Sequence, residues 1–223
     1  MVVPFGPLLE RATNRSGGHR NLQARLPRPK SAADLAGTGD DRYLSMMSLR
    51  IFRAGLKHSL VDSKWPAFED AFHGFAPKRV AMMSDEDLDE LMANRALIRH
   101  WTKISAVRSN ATSMVAKSAE HGGFGSWVAG WPGSDIVGLW MALAKEFRQL
   151  GGNSGPSFLR MVGKDTFVLT GDVIGALIDN DIVTRPPTGK AAKRHVAAAF
   201  NAWAEETGLP LCQLSMILAL SRE

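Results

Sequence analysis

The sequence predicts an all-α protein. Apolar residues return at helical spacing in nearly every long segment after Asp41. Ser, Thr and Gly stand where helix caps and stops are needed. Only one short piece, Phe167 to Leu169, has an extended character.

The elements follow in order. In "RYLSMMSLRIFRAGLKHSLV" the residues Leu44, Met47, Leu49, Ile51, Phe52, Leu56 and Leu60 keep close to a period of about 3.6 residues, which predicts one helix over 42–61. "KWPAFEDAFHGF" opens a second helix, with Pro66 in its first turn, where the missing N–H is tolerated. Ser84 is placed as an N-cap, with Asp87 in the capping-box position and acids filling the first turn. A long helix runs through "LIRHWTKISAVRSNATSMVAKSAE" and stops before Gly122-Gly123. "GSDIVGLWMALAKEFRQLGG" has Ser134 as its cap and Gly151 as its stop. Thr170 caps a helix after the extended piece, and "TRPPTG" is a loop. "KAAKRHVAAAFNAWAEETG" and "LPLCQLSMILALSRE" are the last two helices. About eight to ten helices are expected in all.

Composition removes several function classes. The 223 residues are 45% hydrophobic and 22% charged, ordinary usage for a globular chain. No apolar run approaches the roughly 20 residues that span a bilayer, and the start lacks a long apolar signal segment, so a cytoplasmic protein with no membrane contact is expected. The single cysteine, Cys212, excludes an internal disulfide and a multi-Cys zinc site. The six histidines form no HExxH or paired spacing, so no metal or cofactor is expected. No GxSxG elbow, Walker loop or GxGxxG motif is present. The net charge of +5 suits a polyanionic partner. Arg11, Arg15, Arg20, Arg25, Arg28 and Lys30, mixed with Gly, Pro, Ser and Asn, lead to residues 1–38 being read as a basic flexible arm before a helical domain over 39–223.

The stretch "LGGNSGPSFLRMVG" stands out. A helix ends at Leu150 and another starts near Pro156, with Gly151, Gly152 and Gly155 between them. Glycines accept backbone conformations that other residues resist. A turn feeding a helix N-terminus offers free N–H groups and a favourable dipole to a phosphate. The alternative is a corner whose glycines merely stop one helix and start the next.

The order helix, "LGGNSG", helix, "FVLTGDV", helix resembles the helix-hairpin-helix DNA glycosylase superfamily. A longer colinear stretch, with "FRAGL", "FEDAFHGFAPKRVAMM", "DEDLDELM" and "LIRHWTKISAVRSNA", is similar to DNA-3-methyladenine glycosylase I. Together the two cover most of residues 42–180. The resemblance implies a two-lobed helix-hairpin-helix glycosylase-like fold, with the hairpin at about 150–157 and the flipped base held between the lobes. It also implies binding of double-stranded DNA by a monomer, and excision of a damaged, alkylated base by base flipping.

On this resemblance the amides of Gly152, Ser154 and Gly155 grip a phosphate, with Gly151 and Asn153 completing the hairpin. Asp172, about 18 to 20 residues beyond the hairpin, matches the family's carboxylate at a helix start. Hydrolysis of an N-glycosidic bond needs positive charge stabilised on the sugar and a water held in place, and a carboxylate does both. The alternative for Asp172 is a first-turn acid that complements the helix dipole. Where lyase members carry a lysine, this chain has Gly155-Pro156-Ser157, which points to a monofunctional enzyme.

The family's base-reading glutamate falls on Arg50 and its pocket tryptophan on His58. Placed eight residues apart on one predicted helix, Arg50 and His58 share a face and line the base pocket or stand exposed. Trp101 packs under that pocket, touches DNA or joins the core. Arg99, Lys103, Lys190 and Lys193 are candidates for phosphate contact or a solvated face. The family's zinc ligands find no matching set here. A catalytically inactive DNA-binding protein with the same fold is the second reading, and a helical protein-interaction domain is the third.

Overall fold

The computed structural model describes residues 2–222, and among them it holds helices and no strand. The order is α1 (Gly6–Arg15), α2 (His19–Arg25), α3 (Ala32–Ala36), α4 (Asp40–Arg53), α5 (His58–Ala71), a 3-10 turn (His73–Phe75), α6 (Pro77–Ala81), α7 (Asp85–Ala93), α8 (Trp101–His121) and α9 (Phe124–Gly130). A second 3-10 turn (Gly133–Asp135) leads to α10 (Ile136–Glu146), α11 (Ser154–Val162), α12 (Gly171–Asp179), α13 (Gly189–Thr207) and α14 (Leu211–Leu220). No helix among the described residues is long and apolar enough to cross a membrane.

Caps fall where the side chains offer them. Ser84 and Asp87 form a complete capping box at α7, so two orphan N–H groups find acceptors in one exchange. Thr170 accepts from the Val173 amide at the start of α12. The Asp165 carboxylate takes the Leu211 and Cys212 amides at 3.0 and 2.8 Å, an anion at the N-terminus of α14.

Three expectations are corrected. The basic segment is not a flexible arm, because its scattered apolar residues suffice to dock it: Phe5, Leu8 and Leu22 are buried within α1, α2 and their approach. Ala54 turns extended and Gly55 takes φ +75°, so the helix expected over 42–61 divides into α4 and α5. Pro66 lies inside α5 rather than in its first turn, since α5 already begins at His58. The helix count rises accordingly, and several of the added elements are short.

The chain forms two compact units. One comprises the segment up to Lys30, Pro132–Gly138 and the chain from Gly163 onward. Its core stacks Phe167 on Phe200, with centroids 4.2 Å apart and rings nearly parallel, and sets Trp203 against Phe5 and Phe200. Trp203 Nε1 donates to the Val3 carbonyl at 2.8 Å, and the Phe5 amide to Glu206 at 2.9 Å, which ties the N-terminal segment to α13.

The other unit comprises Ser31–Trp131 and Leu139–Val162. Here α8 carries α4, α6, α7 and α9, and α11 lies on α4. Tyr43, Phe124, Phe147 and Phe158 make its aromatic centre. At Gly125 of α9 a Cβ would run into the Leu35 carbonyl, so only glycine permits this approach to α3.

Tyr43, the one tyrosine of the chain, donates its hydroxyl to the Leu35 carbonyl at 2.8 Å. Burial, aided by the Asp40 charge, pushes the phenol up to about 12. A phenol whose folded value is raised supports the fold below its unfolded value near 10 and loses that support as pH rises towards 12. Tyrosinate absorbance should therefore stay flat through pH 10 and rise only as the unit unfolds. A titration midpoint near 10 in the folded protein would contradict this.

Candidate active site

The glycine turn is held from α8. Asn110, fully buried, accepts from the Arg148 amide at 2.7 Å and donates to the Arg148 carbonyl at 3.1 Å. Ser113 donates to the Glu146 carbonyl at 2.9 Å. These contacts fix the exit of α10, which ends at Glu146 rather than at Leu150. The chain then turns through Gln149 at φ +64° and Gly152 at φ +58° before α11.

Within the turn the Ser154 amide donates to the Gly151 carbonyl and the Gly155 amide to the Leu150 carbonyl, both at 3.1 Å. Two of the three amides expected to grip a phosphate are therefore engaged internally, because the turn closes on itself. The Gly151 and Gly152 amides make no hydrogen bond among the described residues, and both glycines are exposed, as is Asn153. Gly155 is buried, and a Cβ there would meet the Leu150 carbonyl at 3.0 Å.

The division of α4 from α5 changes the Arg50 and His58 pair. Arg50 sits in the last turn of α4, while His58 is the first residue of α5 and exposed. They do not share a helix face.

Arg50 is half-buried, and its Nε is buried without a hydrogen-bond partner. Burial, then the nearby Arg53 charge, holds its guanidinium below the ordinary arginine value. Arg53 pairs with Asp62 at 2.7 Å. Lys103 is buried, donating through Nζ to the Phe52 and Ala54 carbonyls at 3.2 and 2.6 Å. It caps the end of α4 instead of offering its charge to a phosphate, which corrects its assignment as a DNA contact. Desolvation, with Arg50 beside it, lowers the Lys103 ammonium from its ordinary value.

Trp101 opens α8 and is 45% exposed, so it is not a core residue. Arg99, just before it, is exposed. Asp172 is exposed in the first turn of α12 and lines a recess of about 290 Å³ with Arg15, Arg25 and Arg222. Lys190 is exposed and Lys193 half-buried in the first turns of α13, where cations oppose the helix dipole.

The family's zinc does not fit this chain. Cys212 is buried with its sulfur towards the Pro27 carbonyl, and no group of three or more His, Cys, Asp or Glu among the described residues could hold a metal.

Asn110 and Lys103 are the residues whose roles the sequence concealed. The signal for Asn110 was a polar residue on the buried stripe of α8, flanked by Val107, Ala111 and Met114.

Residues 36–146, about half of the chain, match the family model for methyladenine glycosylase. The DNA-3-methyladenine glycosylase of Haemophilus influenzae is 41% identical over 64 residues, an alignment that covers 29% of this chain and 35% of that protein. The chain thus aligns with only about a third of this relative's length. Among solved structures, a 3-methyladenine DNA glycosylase I is 28% identical with a TM-score of 0.50, over 64% of this chain and 86% of that one. The 8-oxoguanine DNA glycosylase of Methanocaldococcus jannaschii, 12% identical, has a TM-score of 0.58 over 95% of this chain and 91% of that one, a likeness of fold alone. An all-helical chain in which a methyladenine glycosylase match is followed by a glycine turn between two helices belongs to the helix-hairpin-helix DNA glycosylase superfamily.

Proposed function

We propose that this protein is a monofunctional DNA glycosylase that hydrolyses the N-glycosidic bond of a damaged base, alkylated bases foremost, in double-stranded DNA. It would act as a cytoplasmic monomer. The observation that carries the reading is the methyladenine glycosylase match over residues 36–146, continued in the same chain by a turn with two exposed glycines whose amides are unengaged among the described residues.

In this reading the Gly151 and Gly152 amides hold a backbone phosphate. Asn153 flanks them, and Arg99, Lys190 and Lys193 add sequence-independent attraction. A base leaves the stack at a cost of a few kcal/mol and is met by Trp101, Arg50 and His58. Asp172 stabilises positive charge on the sugar and orders the attacking water. No lysine follows the hairpin, where Gly155-Pro156-Ser157 stands, so hydrolysis ends at an abasic site.

Duplexes carrying single alkylated or deaminated bases test this directly. Release of a free base with the strand left uncut is the expected result. No release from any duplex, with binding intact, would leave only the DNA-binding reading.

A further inference from the structure

Three arginines from separate parts of one unit meet at one recess. On α1, Leu8, Ala12 and Arg15 fall at i, i+4 and i+7, so they share one stripe. The first two are buried, and the third, in the last turn, is exposed. Arg25 stands exposed in the last turn of α2, three positions after the buried Leu22. Arg222 follows α14, and its guanidinium lies on the backbone of α12 at Gly175, where a Cβ would run into it. Its Nε donates to Asp179 at 3.0 Å. Arg15, Arg25 and Arg222 line the recess of about 290 Å³ that also holds Asp172.

The charges there do not cancel. Arg222 pairs with Asp179, whereas the side chains of Arg15 and Arg25 have no ion-pair or hydrogen-bond partner among the described residues. Three guanidiniums face the carboxylates of Asp172 and Asp179, which leaves one positive charge over. Gathering like charges costs energy that an anion in the recess would recover. A guanidinium is a planar fork of donors that matches two phosphate oxygens side by side. A phosphodiester carries one negative charge and balances the excess. A phosphomonoester carries about 1.5 to 2 near neutral pH and overshoots it. The recess is also small, at the lower edge of the roughly 300–1,000 Å³ of pockets that enclose a drug-sized molecule, which suits a phosphate group rather than a base.

We propose that Arg15, Arg25 and Arg222 form a subsite for one backbone phosphodiester of the bound DNA, held beside Asp172. Docking of the basic N-terminal segment builds it, and residues 36–146, the glycosylase match, contribute none of its charges. That the anion belongs to DNA rests on the glycosylase reading.

The test is binding of the full chain to a plain duplex, and to one carrying an abasic analogue, over a series of salt concentrations. The double variant Arg15→Gln, Arg25→Gln should bind about 10-fold more weakly at about 0.1 M salt, and the slope of log affinity against log salt should fall by about one. A methylphosphonate linkage, which removes one phosphate charge, should cost the wild type a similar factor at one position beside the abasic analogue and cost the double variant nothing further. Arg15→Lys with Arg25→Lys, which keeps the charges without the forks, should keep the slope and recover only part of the affinity. Thermal melting checks that each variant folds. An unchanged slope in the glutamine variant, or methylphosphonates that cost both proteins equally at every position, overturns the proposal. So does stabilisation of the wild type alone by inorganic phosphate with duplex binding unchanged, since the recess then takes free phosphate. Base release is measured separately. No release from any damaged duplex, with the slope still reduced in the glutamine variant, overturns the glycosylase reading and leaves the subsite standing.

Discussion

Asp172→Asn should lower base release by about 100- to 10,000-fold while duplex affinity and fold persist. An amide cannot balance charge developing on the sugar, nor take a proton from an attacking water. The change is nearly isosteric. Thr170 caps α12 independently, through the Val173 amide. What Asn forfeits structurally is the acid's complement to the helix dipole, about 0.3–1 kcal/mol at an exposed position. Single-turnover release, read beside thermal melting, separates the two effects. Release that survives the substitution would reduce Asp172 to a dipole partner lying among Arg15, Arg25 and Arg222.

Asn110→Ala should destabilise the protein by about 2–4 kcal/mol. It removes two hydrogen bonds to one residue, at 2.7 and 3.1 Å, and strands the Arg148 amide and carbonyl against a buried methyl. The turn it anchors carries the Gly151 and Gly152 amides, so duplex affinity at fixed salt should fall as well. Denaturant unfolding and a binding titration measure the two effects. A loss below about 1 kcal/mol would mean that water replaces both bonds.

Much of this was readable in the chain. The Ser84 and Asp87 pair announced α7, Thr170 announced α12, and the glycines after Arg148 announced a turn between helices. Such features are local: a cap or a stop acts within about one turn of its own residue. Other features depended on partners far along the sequence. The basic segment was taken for a flexible arm because its charges outnumber its apolar residues. Phe5, Leu8 and Leu22 nevertheless dock it, since α13 and α14 supply the rest of that core.

The candidate site divides in the same way. Arg50 and His58 were named from the sequence, but their shared helix was not real. The apolar period runs on through "RAGLKH", whereas Ala54 and Gly55 leave helical geometry. Lys103 resembled a surface cation because its neighbours do, and its burial under the end of α4 arises from a contact 49 to 51 residues away.

By itself the sequence determined the all-α class, a glycine turn between two helices after Arg148 and the kinship to methyladenine glycosylases. Only the tertiary structure decided which cations are compensated and which amides remain open. The reason is physical: helix pattern and capping are written in neighbouring residues, whereas the state of a charge or an N–H depends on what the folded chain brings against it.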